Sequence, residues 1–197
     1  MPAESEIRVE AVASVPWEDV SLVFGTRGDP ARCWCQYFKL PHREFETATP
    51  EACAGMLREQ VQAGAPGPGV IAYLGAEPVG WCAVEPKPAY SRLQRAKVVT
   101  EGSRQEPLDA SVWAVTCFVV RVGYRRRGVA AALLRGAVAQ ARDAGARVVE
   151  GYPVDVALRP KAPSAELYHG TASLFAAAGF VEVARVRADR AVMELVV

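Results

Sequence analysis

Between residues 125 and 130 the chain reads Arg125-Arg126-Arg127-Gly128-Val129-Ala130, a run of guanidinium groups followed by a glycine and small apolar residues. Small and apolar residues then recur at helical spacing until Gly145, so the cluster opens an amphipathic helix. A helix start presents N–H groups without intrahelical acceptors and roughly half a positive charge. Gly128 lets a ligand approach the main chain, and the arginine forks match phosphate oxygens. The chemistry these residues suit is the binding of a pyrophosphate. Neither G-x-x-x-x-G-K-[ST] nor G-x-G-x-x-G is present, which excludes the usual triphosphatase and dinucleotide loops.

A second group of reactive types is Cys33, Cys35, His42 and Cys53. Cys-x-Cys is not a structural-zinc spacing, and no metal is expected. Cys117 sits inside an apolar strand and reads as packing rather than as a nucleophile. The segment Cys33–Phe38 is aromatic and thiol-rich between turn residues, and its Trp34 and Tyr37 suit the wall of a substrate site.

The elements that position these residues follow from periodicity. Strands are expected at 7–12, at 70–74 and 79–84 as a hairpin, from Val112 into the arginine cluster, at 147–152, and at 180–184 and 191–196 as a closing pair. Ser14 would cap a helix from Pro16 to Phe24, stopped by Gly25–Pro30, and Thr49-Pro50 opens one that ends near Gly64. Tyr90–Lys97 reads as a short helix, 99–110 as polar loop, and Ser164–Gly179 as one helix. This order predicts a single α/β domain over residues 1–197 with a largely antiparallel sheet.

Composition narrows the function classes. The formal net charge of +1, with arginines gathered at one turn, argues against a nucleic-acid partner. No apolar run approaches the roughly 20 residues of a membrane span, and no signal pattern opens the sequence. Five irregularly spaced cysteines then imply reduced thiols and a cytoplasmic location. A homodimer is left open.

Arg125-x-x-Gly128-x-Ala130, after an apolar strand and at a helix start, resembles the acetyl-CoA motif of the GNAT superfamily of N-acetyltransferases. The element order resembles that fold along nearly the whole chain, and Leu174–Phe180 resembles the family's late helix with its Gly-Phe ending. The resemblance implies a mixed, mostly antiparallel sheet of about seven strands flanked by helices, splayed at its central strand pair. It implies acetyl-CoA as co-substrate, with the arm along Phe118, Val119 and Val120, the pyrophosphate on amides from Arg126 to Ala130, and Arg125 as a further contact. It further implies acetyl transfer to a small-molecule amine by direct attack, a main-chain N–H polarising the thioester carbonyl. A longer acyl-CoA, or a coenzyme-A-binding sensor without chemistry, are the alternatives.

The family commonly has Tyr, as general acid, where this chain has Phe175, and Asn where it has Tyr168. With Phe175 unable to donate a proton, Tyr168 is the first replacement and His169 the second. Glu150 and Glu85 are candidates for the general base, Glu85 also for acceptor contact.

Overall fold

Alternating apolar residues give strands that assemble into one sheet of seven. In the computed structural model, which describes residues 6–159 and 164–197, the chain runs β1 (Ile7–Ala11), α1 (Trp17–Phe24), α2 (Gly28–Cys33), α3 (His42–Thr47), α4 (Pro50–Gln62), β2 (Gly69–Leu74) and β3 (Glu77–Pro86). It continues through α5 (Lys97–Thr100), β4 (Val112–Val120), α6 (Val129–Asp143), β5 (Val148–Gly151), α7 (Ala172–Ala177), β6 (Val181–Arg187) and β7 (Arg190–Val196). The sheet order is β1-β2-β3-β4-β5-β7-β6. All pairs are antiparallel except β4–β5. This is the mixed sheet flanked by helices that the sequence implied.

Side-chain alternation sends each strand's apolar residues to two separate cores. On one face Val70, Cys82, Val115 and Phe118 meet Leu133, Leu134 and Ala137 of α6 and Phe175 of α7. On the other, Ile71, Trp81, Ala83 and Val119 meet Val20, Phe24 and Leu57 of α1 and α4. A third cluster joins Tyr90, Leu93 and Val99 to Ala114, Tyr152 and Val192, so the segment after β3 covers the rest of that second face.

Several local expectations shift. Ser14 bonds back to the Ala11 carbonyl at 2.7 Å instead of capping α1, whereas Thr49 accepts from Ala52 N and caps α4 as read. α1 ends at Phe24 as expected, but α2 begins within the Gly25–Pro30 stretch, at Gly28. The helix expected at 90–97 reduces to one 3-10 turn, Leu93–Arg95, and α5 lies partly inside the expected loop. The helix expected from Ser164 to Gly179 divides at Gly170: a 3-10 turn covers Ser164–His169, and Thr171 caps α7 afresh.

The covering segment is locked to the sheet by a buried ion pair that the sequence reading missed. Lys87 Nζ lies 2.8 Å from Glu150 Oε2, and both side chains are fully buried. Lys87 also donates to Ser103 Oγ at 2.6 Å, Ser103 to Glu150 Oε1, and Tyr152 to Glu150 Oε2 at 2.7 Å. Every charge is thus paired and hydrogen-bonded, the condition under which burial is tolerated. Lys87→Met strands the Glu150 carboxylate, and urea unfolding should show a loss of about 3–5 kcal/mol. The double variant Lys87→Met/Glu150→Gln should recover part of it. A single variant as stable as the parent would contradict the pairing.

Candidate functional site

The site forms where β4 and β5 part. Their parallel pairing covers only Val112–Val115 against Val148–Gly151. The next β4 residue, Thr116, is a bulge: Ala83 faces Cys117 while Val84 faces Val115. An extra residue in one strand bends it and increases its twist. Beyond Gly151 the other chain stays with β7, since Val154 bridges Arg190. The β4-facing side of that extension is taken by Gly170–Ala172, whose backbone bonds to Val154. Residues 116–120 of β4 keep β3 on one edge and have no strand partner on the other among the described residues.

The parting is filled from one side by Phe175. Its ring occupies the place of a side chain at Gly151, where an added Cβ would lie 2.0 Å from it. The ring packs edge-on against Phe118 and Phe180, with centroids 6.2 and 4.9 Å away. Phe175 is therefore a fully buried wedge, and it has no proton to give.

Along the open edge, main-chain direction follows from pairing. Arg121 N donates to Val79 O at 3.0 Å, so the alternate residues Phe118 and Val120 turn their N–H and C=O groups away from β3. The Val120 carbonyl accepts from Arg125 Nε at 3.3 Å. Val119 projects into the second core instead.

The edge leads directly to the arginine cluster. Arg126 has φ 59° and Gly128 φ 78°, a left-handed turn that aims successive amides outward. The first helical bond runs from Ala132 N to Gly128 O at 3.0 Å. Ahead of that bond the amides of Val129, Ala130 and Ala131 have no intrahelical acceptor, and Arg125-Arg126 form a turn leading into them. Arg125, Arg126, Arg127 and Gly128 are exposed, and Val129 is anchored in the core below them. A chain of free amides at the start of a fifteen-residue helix fits a pyrophosphate.

The opposite side of the parting carries Tyr168 and His169. Their rings are 4.0 Å apart, and both lie near Phe38, at 6.4 and 5.6 Å. Burial first, then Tyr37, pushes the Tyr168 phenol up to about 12, so it is protonated at neutral pH. Burial, with help from the Arg190 charge, holds His169 well below the ordinary imidazole value, and the backbone of Thr116 offsets this only in part. Its Nδ1 is buried without a hydrogen-bond partner among the described residues. The ring is therefore neutral at pH 7, with one nitrogen unpartnered.

The remaining candidates fall elsewhere. Glu150 is closed inside the Lys87 network and faces no open space. Glu85 is ion-paired with Lys39, which also donates to Gln60 Oε1 at 2.6 Å. Trp34 is not a substrate wall: it stacks between Trp17 and Phe24, at 5.7 and 4.8 Å, and is almost fully buried. Tyr37 does face solvent, with the Arg92 guanidinium 4.0 Å above its ring. The Cys35 thiol beside it and burial push the Cys117 thiol well above its ordinary value, which leaves it inert. Lys87 was the missed residue, and its one sequence signal was Glu150 standing alone in an apolar strand.

The sequence matches the Acetyltransferase (GNAT) family over residues 34–169, more than half of the chain, and the chain belongs to that family. No curated protein matches it. Among solved structures it resembles an N-acetyltransferase from Staphylococcus aureus Mu50 at 12% identity, covering 98% of this chain and 99% of that one, TM-score 0.57. It also resembles yncA of Salmonella typhimurium, solved with acetyl-CoA, at 12% identity with 96% and 93% covered, TM-score 0.53. A third is the paiA N-acetyltransferase of Thermoplasma acidophilum in complex with coenzyme A, at 10% identity with 98% and 99% covered, TM-score 0.52. At these identities the likeness is one of fold. No helix among the described residues is long and apolar enough to cross a membrane.

The neutral state of His169 has a measurable consequence. The unfolded chain titrates this ring near 6.5, the folded chain well below. Below 6.5 the unfolded state therefore binds the extra proton, and stability present above that pH is lost on acidification. In urea unfolding between about pH 7 and pH 5, His169→Gln should show a shallower fall than the parent. Equal slopes would contradict a buried neutral ring.

Proposed function

We propose that the chain is an acetyl-CoA-dependent N-acetyltransferase that acetylates a primary amine of a small molecule, acting as one domain over residues 1–197. The observation that carries this reading is the open β4 edge, where the main-chain groups of Phe118 and the N–H of Val120 have no strand partner among the described residues, followed across one turn by the amides at the start of α6. A pantetheine arm would join the β4 edge as an added strand, and the pyrophosphate would end it on the helix start. The co-substrate supplies an acetyl group activated as a thioester. Membership of the acetyltransferase family supports the same chemistry.

This chain's own residues divide the proton work. The amine attacks as the free base, and His169 Nδ1 takes its proton, directly or through a water, as the C–N bond forms and the nitrogen turns acidic. The Tyr168 hydroxyl, protonated near neutrality, donates to the departing sulfur in place of the tyrosine that Phe175 replaces. A β4 amide beside the bulge polarises the carbonyl. Glu150 and Glu85 keep positions rather than protons: each is held by a lysine, and each lysine ties the segments around the acceptor to the sheet.

Calorimetry with acetyl-CoA tests the binding half. Gly128→Glu places a strained side chain and a negative charge on the cradle, and affinity should fall at least about tenfold. Unchanged affinity would remove the cradle. Thiol release across an amine panel tests the chemistry, and Tyr168→Phe should lower kcat about 100-fold. Binding without turnover of any amine would favour a coenzyme-A sensor. Faster turnover with longer thioesters would favour another acyl group.

A further inference from the structure

An open groove of about 300 Å³ borders the site on the side of Tyr37. Its walls are Tyr37, Phe38 and Pro41 from the aromatic segment and Arg92 and Arg95 from the 3-10 turns after β3, with His42 at the rim. The two walls are stitched together, Arg92 N donating to Phe38 O at 3.0 Å and Ser91 Oγ to Lys39 O at 2.7 Å. The groove is therefore a fixed feature of the joined segments rather than a gap between independent loops.

Its charge is one-sided. No Asp or Glu lines it, and among the described residues neither Arg92 nor Arg95 has an ion-pair partner. Glu46 of α3 faces His42 at 3.8 Å. The Arg92 guanidinium lies over Tyr37 at 4.0 Å and near Phe45 at 5.8 Å. Its Nη1 is buried and has no hydrogen-bond partner among the described residues. A guanidinium donor removed from water and left unmatched is costly unless a ligand completes it. Planar forks of this kind select carboxylates.

The groove and the proton-handling pair share one ring. Phe38 is 4.9 Å from Tyr37 on the groove side, and 5.6 and 6.4 Å from His169 and Tyr168 on the other. A molecule whose amine reaches His169 while its far end reaches Arg92 must pass along Phe38. We propose that the acceptor carries a carboxylate bound by Arg92, joined to its amine through an apolar spacer that lies along Phe38. Arg92 is then the residue that sets acceptor specificity, and Arg95 adds to the field that draws the anion in. This rests on the acetyltransferase reading above and names its substrate class.

Matched probes separate the charge from the body. Turnover of 4-(aminomethyl)benzoate and of its neutral amide is compared in the parent and in Arg92→Gln, with folding checked by thermal melting. The parent should prefer the carboxylate by about 10- to 100-fold in kcat/KM, and the variant should bring that ratio close to one. Binding of the acetylated probes, 4-(acetamidomethyl)benzoate and its amide, to the coenzyme-A-loaded protein is measured alongside. If no amine is turned over, the enzymatic reading fails, and this second measurement still decides the groove. Preferential binding of the acid, lost in Arg92→Gln, supports the site. Equal ratios in parent and variant, equal binding of acid and amide, or no binding of either, overturn it.

Discussion

A strand that keeps a partner for part of its length and then loses it exposes donors and acceptors that have to be satisfied by something else. β4 is such a strand. The bulge at Thr116 bends it at the position where β5 ends, and the chain beyond Gly151 follows β7 instead. The Phe175 ring, seated where Gly151 has no side chain, wedges one side of the opening. The exposed edge runs straight into a left-handed turn and a helix start, so two separate kinds of unsatisfied main chain become one surface. A long, narrow ligand with a strand-like arm and an anionic end matches it.

The chemistry on the other side of the opening is governed by which charges are already spent. Both carboxylates near the parting are paired with lysines, Glu150 with Lys87 and Glu85 with Lys39. These pairs fasten the covering segment and the aromatic segment to the sheet, and Tyr168 and His169 lie against Phe38 on the side away from Tyr37. Burial keeps both rings neutral.

Elements whose pattern is local were legible in the sequence. The β2–β3 hairpin, the Thr49 cap of α4 and the strand–turn–helix around Gly128 each follow from spacing and one or two special residues. What escaped depends on contacts far apart in the chain. Lys87 reads as a surface lysine between prolines until β5 places Glu150 against it. Trp34 looked like a substrate wall because nothing local tells an aromatic lining a pocket from one sandwiched by Trp17 and Phe24. The break at Gly170 was hidden because helical spacing continues across it, while a φ of 77° and a fresh Thr171 cap end one element and start the next.

On the proposed reading, the open β4 edge and the helix start hold one continuous ligand. Backbone hydrogen exchange read amide by amide, with and without saturating acetyl-CoA, tests this. Exchange should slow together at Phe118, Val120 and the amides from Arg125 to Ala131, with little change on the outer strand β6. Protection confined to other elements, or at the arginine turn without the strand edge, would contradict it.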